Sequence, residues 1–189
     1  MAVVQLATAA DVAESLGRDL TSEEAVRVEP ILDKASELFR RESGQQFTAG
    51  SSDVRLRVRS GDTVYLPQRP VVSIESVTTE DGADVVFTNR DQAVTVTTAD
   101  QWVLVEYTHG GDVPDLVRLA VAEIGAVVLR IDAQALTGVS QAGETTGPFS
   151  RQFSYASWAI GGATRLSPDD VKLARSFRNP WRQIVSMGA

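Results

Sequence analysis

Asp53-Val-Arg-Leu-Arg-Val-Arg59 is the stretch whose reading decides the fold. Val54, Leu56 and Val58 alternate with Arg55, Arg57 and Arg59, a period of two that an extended strand converts into one dry and one wet face. Beyond it the same period continues in short runs: Thr63 to Leu66, Val71 to Thr79, Val85 to Thr88, Ala93 to Thr98 and Trp102 to Thr108. Turn-forming pairs and triplets (Gly61-Asp62, Asp81-Gly82, Asn89-Arg90-Asp91, Ala99-Asp100) separate them. Val and Thr dominate, as pleated, half-buried surfaces favour. Regularly spaced short strands of this kind predict five or six antiparallel strands across 53–108, closing a small β barrel or sandwich. Pro67-Gln-Arg-Pro70 fits a polyproline ligand formally, but between two strands it reads as a rigid connection.

On either side the period is helical. Thr8 and Asp11 cap a helix near 9–16, ended by Gly17. Thr21 with Glu24 forms a capping box for a longer helix near 22–43, with Val28, Ile31, Leu32, Ala35, Leu38 and Phe39 on one stripe. Pro30 inside it is expected to kink or break the helix after its second turn. Arg40 and Arg41 suit its carboxyl end, and Gly44 its termination. A third helix, near 114–136, opens at Pro114 and is apolar almost all round, so it must be surrounded. Thr137 to Gly147 reads as a polar loop, Phe149 to Tyr155 as an extended arm or edge strand, and Ser167-Pro-Asp-Asp170 as the start of a helix near 168–178. Asn179-Pro180 stops that helix and leaves a tail. The fold class is therefore α+β. Four segments follow: 1–52 and 109–178 as two parts of a helical scaffold, 53–108 as a β insertion, and 179–189 as a carboxyl-terminal tail.

Composition removes whole classes of function. With no cysteine among 189 residues, disulfides, thiolate metal sites and cysteine nucleophiles are excluded. A net charge of −7 argues against a surface that grips nucleic-acid backbone throughout. Charge is uneven: residues 161–189 carry five basic and two acidic side chains (+3), which leaves −10 on the rest. The longest apolar run, Ile124 to Leu129, is six residues, far short of the roughly twenty a membrane helix needs. The amino terminus lacks a basic region followed by an apolar one, so the reading is a protein made in the cytoplasm and not secreted.

A search for chemistry returns little. His109 is the only histidine, so the usual zinc sites cannot be assembled, and no cofactor is indicated. Beside Gly110-Gly111 it is expected to be exposed or to cap. Gly138-Val-Ser-Gln-Ala142 departs by one residue from the hydrolase elbow, and no strong strand leads into Ser140. No phosphate-binding glycine loop occurs. Glu23-Glu24 and Asp169-Asp170 lie in first helical turns, where the dipole favours acids without any catalytic role. The Arg55, Arg57, Arg59 row reads as a solvated strand face with acidic neighbours. On residue chemistry alone the chain is not an enzyme.

Several phrases carry a resemblance. Leu6-Ala-Thr-Ala-Ala-Asp-Val-Ala-Glu-Ser-Leu-Gly-Arg-Asp-Leu-Thr-Ser-Glu-Glu-Ala25 and Ile31-Leu-Asp-Lys-Ala-Ser-Glu-Leu-Phe-Arg40 resemble the opening of head-to-tail connector (adaptor) proteins of tailed bacteriophages. Leu66-Pro-Gln-Arg-Pro-Val-Val-Ser-Ile-Glu-Ser-Val77 with its Asp81-Gly82 turn is similar to a phrase that follows in many of them. Pro114 to Arg130 resembles their second long helix, and Glu144 to Ser154 through Leu166-Ser-Pro-Asp-Asp170 their closing loop and helix. Pro30 departs from the pattern.

The resemblance implies a structural virion protein at the head–tail interface: a ring, commonly of about twelve copies, below the portal protein. It implies a tail-side stopper or tail-terminator partner, and a channel through which DNA passes without tight binding. Other readings are a stopper or tail-completion protein of the same neck, or a small hydrolase using Ser140 or His109. Within the adaptor reading, Ala120, Ile124, Val127 and Val128 are the expected subunit interface, since small residues on that helix allow close approach. The cationic, aromatic end supplies the expected portal-docking residues, Arg175, Phe177, Arg178, Trp181 and Arg182, because aromatic and arginine side chains dominate interface energetics.

Overall fold

Thr8 opens the first helix, α1 (Ala9–Leu16), by a reciprocal exchange: its hydroxyl accepts the Asp11 N–H while the Asp11 carboxylate accepts the Thr8 N–H. Gly17, with φ of 70°, closes the helix in the left-handed conformation. In the computed structural model the described residues are 4–58, 63–130, 141–146, 149–154 and 164–179. They form α1, α2 (Ser22–Ser43), β1 (Gly50–Arg57), β2 (Thr63–Tyr65), β3 (Val71–Thr79), β4 (Val86–Arg90), β5 (Ala93–Thr97), β6 (Trp102–His109), α3 (Asp115–Arg130), β7 (Gln141–Thr146), β8 (Phe149–Ser154) and α4 (Pro168–Ser176).

The chain divides into two compact units. One comprises residues up to Glu42 with Asp115–Arg175; the other comprises Ser43–Pro114 with the residues from Ser176 onward. In the first, α1, α2 and α3 bury Val12, Val28, Leu32, Phe39, Val117 and Val121. At Gly125 α3 closely approaches side chains of both α1 and α2. A Cβ there would stand 3.1 Å from Val12 Cγ2 and 3.6 Å from Leu32 Cδ2, so a larger side chain would push α3 off both neighbours. Arg118 ties α3 to Asp11, and Arg130 Nη2 donates to the Ser15 carbonyl at 3.0 Å.

Of the two outcomes expected at Pro30, the break does not occur: α2 continues as one helix through it. Proline removes the bond to the carbonyl of Val26 and crowds it. Val26 and Pro30 both lie on the solvent side, where water serves the freed carbonyl, while Val28, Ile31, Leu32 and Ala35 clamp the opposite face.

The second unit holds two three-stranded antiparallel sheets, ordered β1-β6-β3 and β2-β5-β4. A Thr78–Asp84 bridge and the Val85 N–H donated to Val77 C=O at 2.9 Å join β3 to the start of β4 at one corner. Between the sheets lie Leu56, Val64, Leu66, Val77, Val94, Val96, Val103, Val105 and Tyr107. Each such burial is worth about 1.5–3 kcal/mol relative to exposing the side chain. The row Val54-Leu56-Val58 faces this core, as its alternation requires.

β7 pairs antiparallel with β8, Gln141 opposite Ser154 and Thr146 opposite Phe149. The sequence reading made 141–146 loop. It is strand because the alternating Phe149–Ser154 run offers its backbone as a partner, which polar composition alone does not reveal. Among the described residues no helix is long and apolar enough to cross a membrane.

Candidate functional site

Side chains of the second unit converge on a polar hub. Ser43 ends α2, and Phe47, with φ of 64°, turns the chain toward β1. Between them the buried Gln45 donates from Nε2 to the Pro67 carbonyl at 2.9 Å and accepts the Arg69 N–H at 3.0 Å. Gln68 answers with its own amide, accepting the Gln46 N–H at 2.8 Å and donating to the Gly44 carbonyl at 3.1 Å. Its backbone N–H donates to the Tyr107 hydroxyl at 3.0 Å. Pro67–Pro70 is thus the rigid connection expected, with its polar groups satisfied internally.

The residues after α4 join the same hub. Phe177 sets its ring edge-on against Phe47, centroids 5.5 Å apart, and its carbonyl accepts from Arg69 Nη2 at 3.2 Å. Asn179 Nδ2 donates to the Leu66 carbonyl at 2.9 Å. Of the docking residues expected from sequence, Phe177 is therefore committed to its own chain and Arg175 pairs with Glu42 at 3.0 Å. Arg178 is exposed. Trp181 and Arg182 lie outside the described residues, as does Ser140.

His109 is not the exposed loop residue expected. It is the last residue of β6, 3% exposed, flanked by Gly50 of β1 and Val71 of β3 in the sheet register. Ser52 Oγ lies 2.9 Å from its Nε2, and the Tyr107 ring stands 5.5 Å away. A serine beside an imidazole invites comparison with a hydrolytic dyad, but the remaining parts are missing. Nδ1 is buried without a hydrogen-bond partner, so among the described residues no acid orients the ring. The two neighbouring glycine N–H groups, which could receive an oxyanion, are spent on the Pro70 carbonyl (2.9 Å) and the Phe47 carbonyl (3.3 Å). Burial holds His109 below its ordinary range and raises Tyr107. These are properties of a structural cluster.

Arg55, half-buried, stacks over Trp102, 4.4 Å from the ring centroid, and pairs with Glu80; Arg57 is exposed, and Arg59 lies outside the described residues. Among the described residues no group of three acidic or histidine side chains could hold a metal ion.

On α3 the chain itself buries three of the four expected interface residues, Ala120, Ile124 and Val128; Val127 is half-buried. Among the large apolar side chains left in solvent are Leu116 (55% exposed) and Leu119 (50%) on α3 and Val26 (78%) on α2, besides Val4, Val72 and Val86. The sequence reading grouped Leu116 and Leu119 with the greasy helix and passed over Val26. A count of apolar positions opposite each buried stripe would have found all three.

No family model matches the chain, and no curated protein matches it. Among solved structures it is similar to a chain from the neck of an empty gene transfer agent (GTA) particle, computed with C6 symmetry. The similarity has a TM-score of 0.45 at 16% identity and covers 67% of this chain and 78% of that one.

Proposed function

We propose that this chain is a structural protein of a phage-like neck: a head-to-tail adaptor whose copies form a ring of about twelve between portal and tail-side proteins. The observation that carries the reading is the order of its parts. The phrases that resemble adaptor proteins fall on α1 and α2, on the β2–β3 connection, on α3, and on the start of α4. Helices from before and after the β segment belong to one compact unit, as a helical scaffold with an inserted β domain requires. The Ser52–His109 pair lacks an orienting acid and oxyanion donors, so the reading is non-enzymatic.

The portal-docking arm carries Arg178, Trp181 and Arg182, and Phe177 and Asn179 anchor it in the hub. In the virion the ring lines a path for DNA without holding it, since a net charge of −7 repels the duplex beyond any local arginine contact. Titration with labelled duplex at physiological salt should show no submicromolar binding.

Deletion of residues 180–189 tests the docking role. The expected result is a folded protein, with filled heads accumulating that lack both it and a tail. Normal tailed particles from that deletion would refute the arm.

A further inference from the structure

The chain just beyond α4 is held at three points by groups of the second unit. The Phe177 ring stands edge-on to Phe47, the Phe177 carbonyl accepts from Arg69 Nη2 at 3.2 Å, and Asn179 Nδ2 donates to the Leu66 carbonyl at 2.9 Å. The holding groups are themselves fixed. Gln45, 4% exposed, accepts the Arg69 N–H at Oε1 and donates from Nε2 to the Pro67 carbonyl. Gln68 ties the other side of the same connection to Gly44 and Gln46. Pro180 follows the clamp directly, and its ring restricts both its own backbone and that of Asn179. Helix α4 is secured separately: Ala174 is fully buried, and Arg175 pairs with Glu42 in the first unit. Ending a helix requires none of the three ties beyond it, since chain ends ordinarily fray.

We infer that Phe47, Arg69 and the Leu66 carbonyl form a latch that positions the docking arm. The latch makes the second unit, and not α4, the body from which residues 180–189 leave, and it gives them a fixed origin. Binding through a chain end is costly, because the end must be ordered as it binds. An origin fixed two residues before Trp181 removes part of that cost in advance, as a supporting shell does for any binding group. Phe47 and Arg69 are positioning residues: they act on the arm through Phe177 and Asn179. The inference rests on the docking reading of the arm, and adds that the arm binds well only from this origin.

The test uses the full-length chain, with filled heads assembled in its absence as the probe. An insert of about eight Gly and Ser residues between Asn179 and Pro180 keeps latch and arm intact and removes only the fixed origin. It should leave the melting temperature unchanged and lower retention on heads about tenfold. R69M removes the guanidinium and keeps the backbone N–H that Gln45 accepts. It should lower retention by a similar factor and speed tryptic cleavage after Arg178 by about fivefold, as release of a held segment requires. Cleavage after Arg178 at the native rate in R69M overturns the latch. Native retention of the insert variant, with none after deletion of 180–189, overturns the positioning role and leaves the docking reading standing. Retention unchanged by that deletion removes the docking reading, and the positioning role with it.

Discussion

The hydroxyl of Ser52 and Nε2 of His109 lie 2.9 Å apart at the end of the central strand β6, and this is the single described polar contact of the chain's only imidazole. In the protonated ring both nitrogens carry N–H, and the one at Nδ1 is buried with no acceptor. Burial accordingly lowers the folded-state pKa below the ordinary 6.5. A histidine with a depressed folded pKa binds fewer protons folded than unfolded, so stability rises with pH across that interval. Its contribution is complete above pH 6.5 and is lost as pH falls through the folded value. Urea denaturation between pH 5 and 8 should show this slope in the native chain and not in H109Q. An equal slope in H109Q would place its origin elsewhere.

Glu24 answers to lower pH. The Arg18 guanidinium, at 2.7 Å, and then the Thr21 N–H, at 2.9 Å, hold its carboxyl at about 2. Its contribution to α2 is full above 4.5 and is lost between 4.5 and about 2. Carboxyl titration by NMR should find the depressed midpoint, and R18M should move it back toward 4.5. Replacing Thr21 by Ala removes the hydroxyl that caps the Glu24 N–H and should cost about 1 kcal/mol.

Gly110 admits no side chain. Its φ is 77°, and a Cβ would stand 2.1 Å from the Thr48 carbonyl oxygen, a backbone atom that cannot step aside. G110A should destabilise by about 3 kcal/mol or more, from strain plus loss of the Pro70 hydrogen bond. At Gly111, φ 158°, nothing lies within 4 Å, so Gly111→Ala should cost backbone strain without the steric clash. Paired thermal melts compare the two.

The tail anchor has a boundary at Asn179. N179A should cost about 1 kcal/mol, because the Leu66 carbonyl loses its partner. Removal of 180–189 should leave the melting temperature nearly unchanged. A larger loss from the deletion than from N179A would mean that the tail supports the fold instead of extending from it.

These positions differ in how far sequence alone reveals them. The Arg–Val alternation from Asp53, the Thr21–Glu24 and Ser167–Asp170 caps and the Pro67–Pro70 connection are written in local period and chemistry, and the structure shows each one. What local reading misses is set by partners distant in sequence. His109 looked like a loop residue because two glycines follow it; only the register with Gly50 and Val71 buries it. Pro30 promised a break that the packing of Leu32 and Ala35 prevents. The apolar character of α3 was plain, but whether Ala120 and Ile124 met their own chain or another copy depended on where α1 and α2 packed.

The central claim is that many copies of this chain form a ring in the neck of a particle. Cryo-electron microscopy of intact virions, averaged on the head–tail interface, with copy number counted by quantitative mass spectrometry, tests it most directly. The account predicts a closed cyclic ring of this chain directly beneath the portal, at about twelve copies per particle. One or two copies per particle, or density for this chain away from the neck, would contradict it.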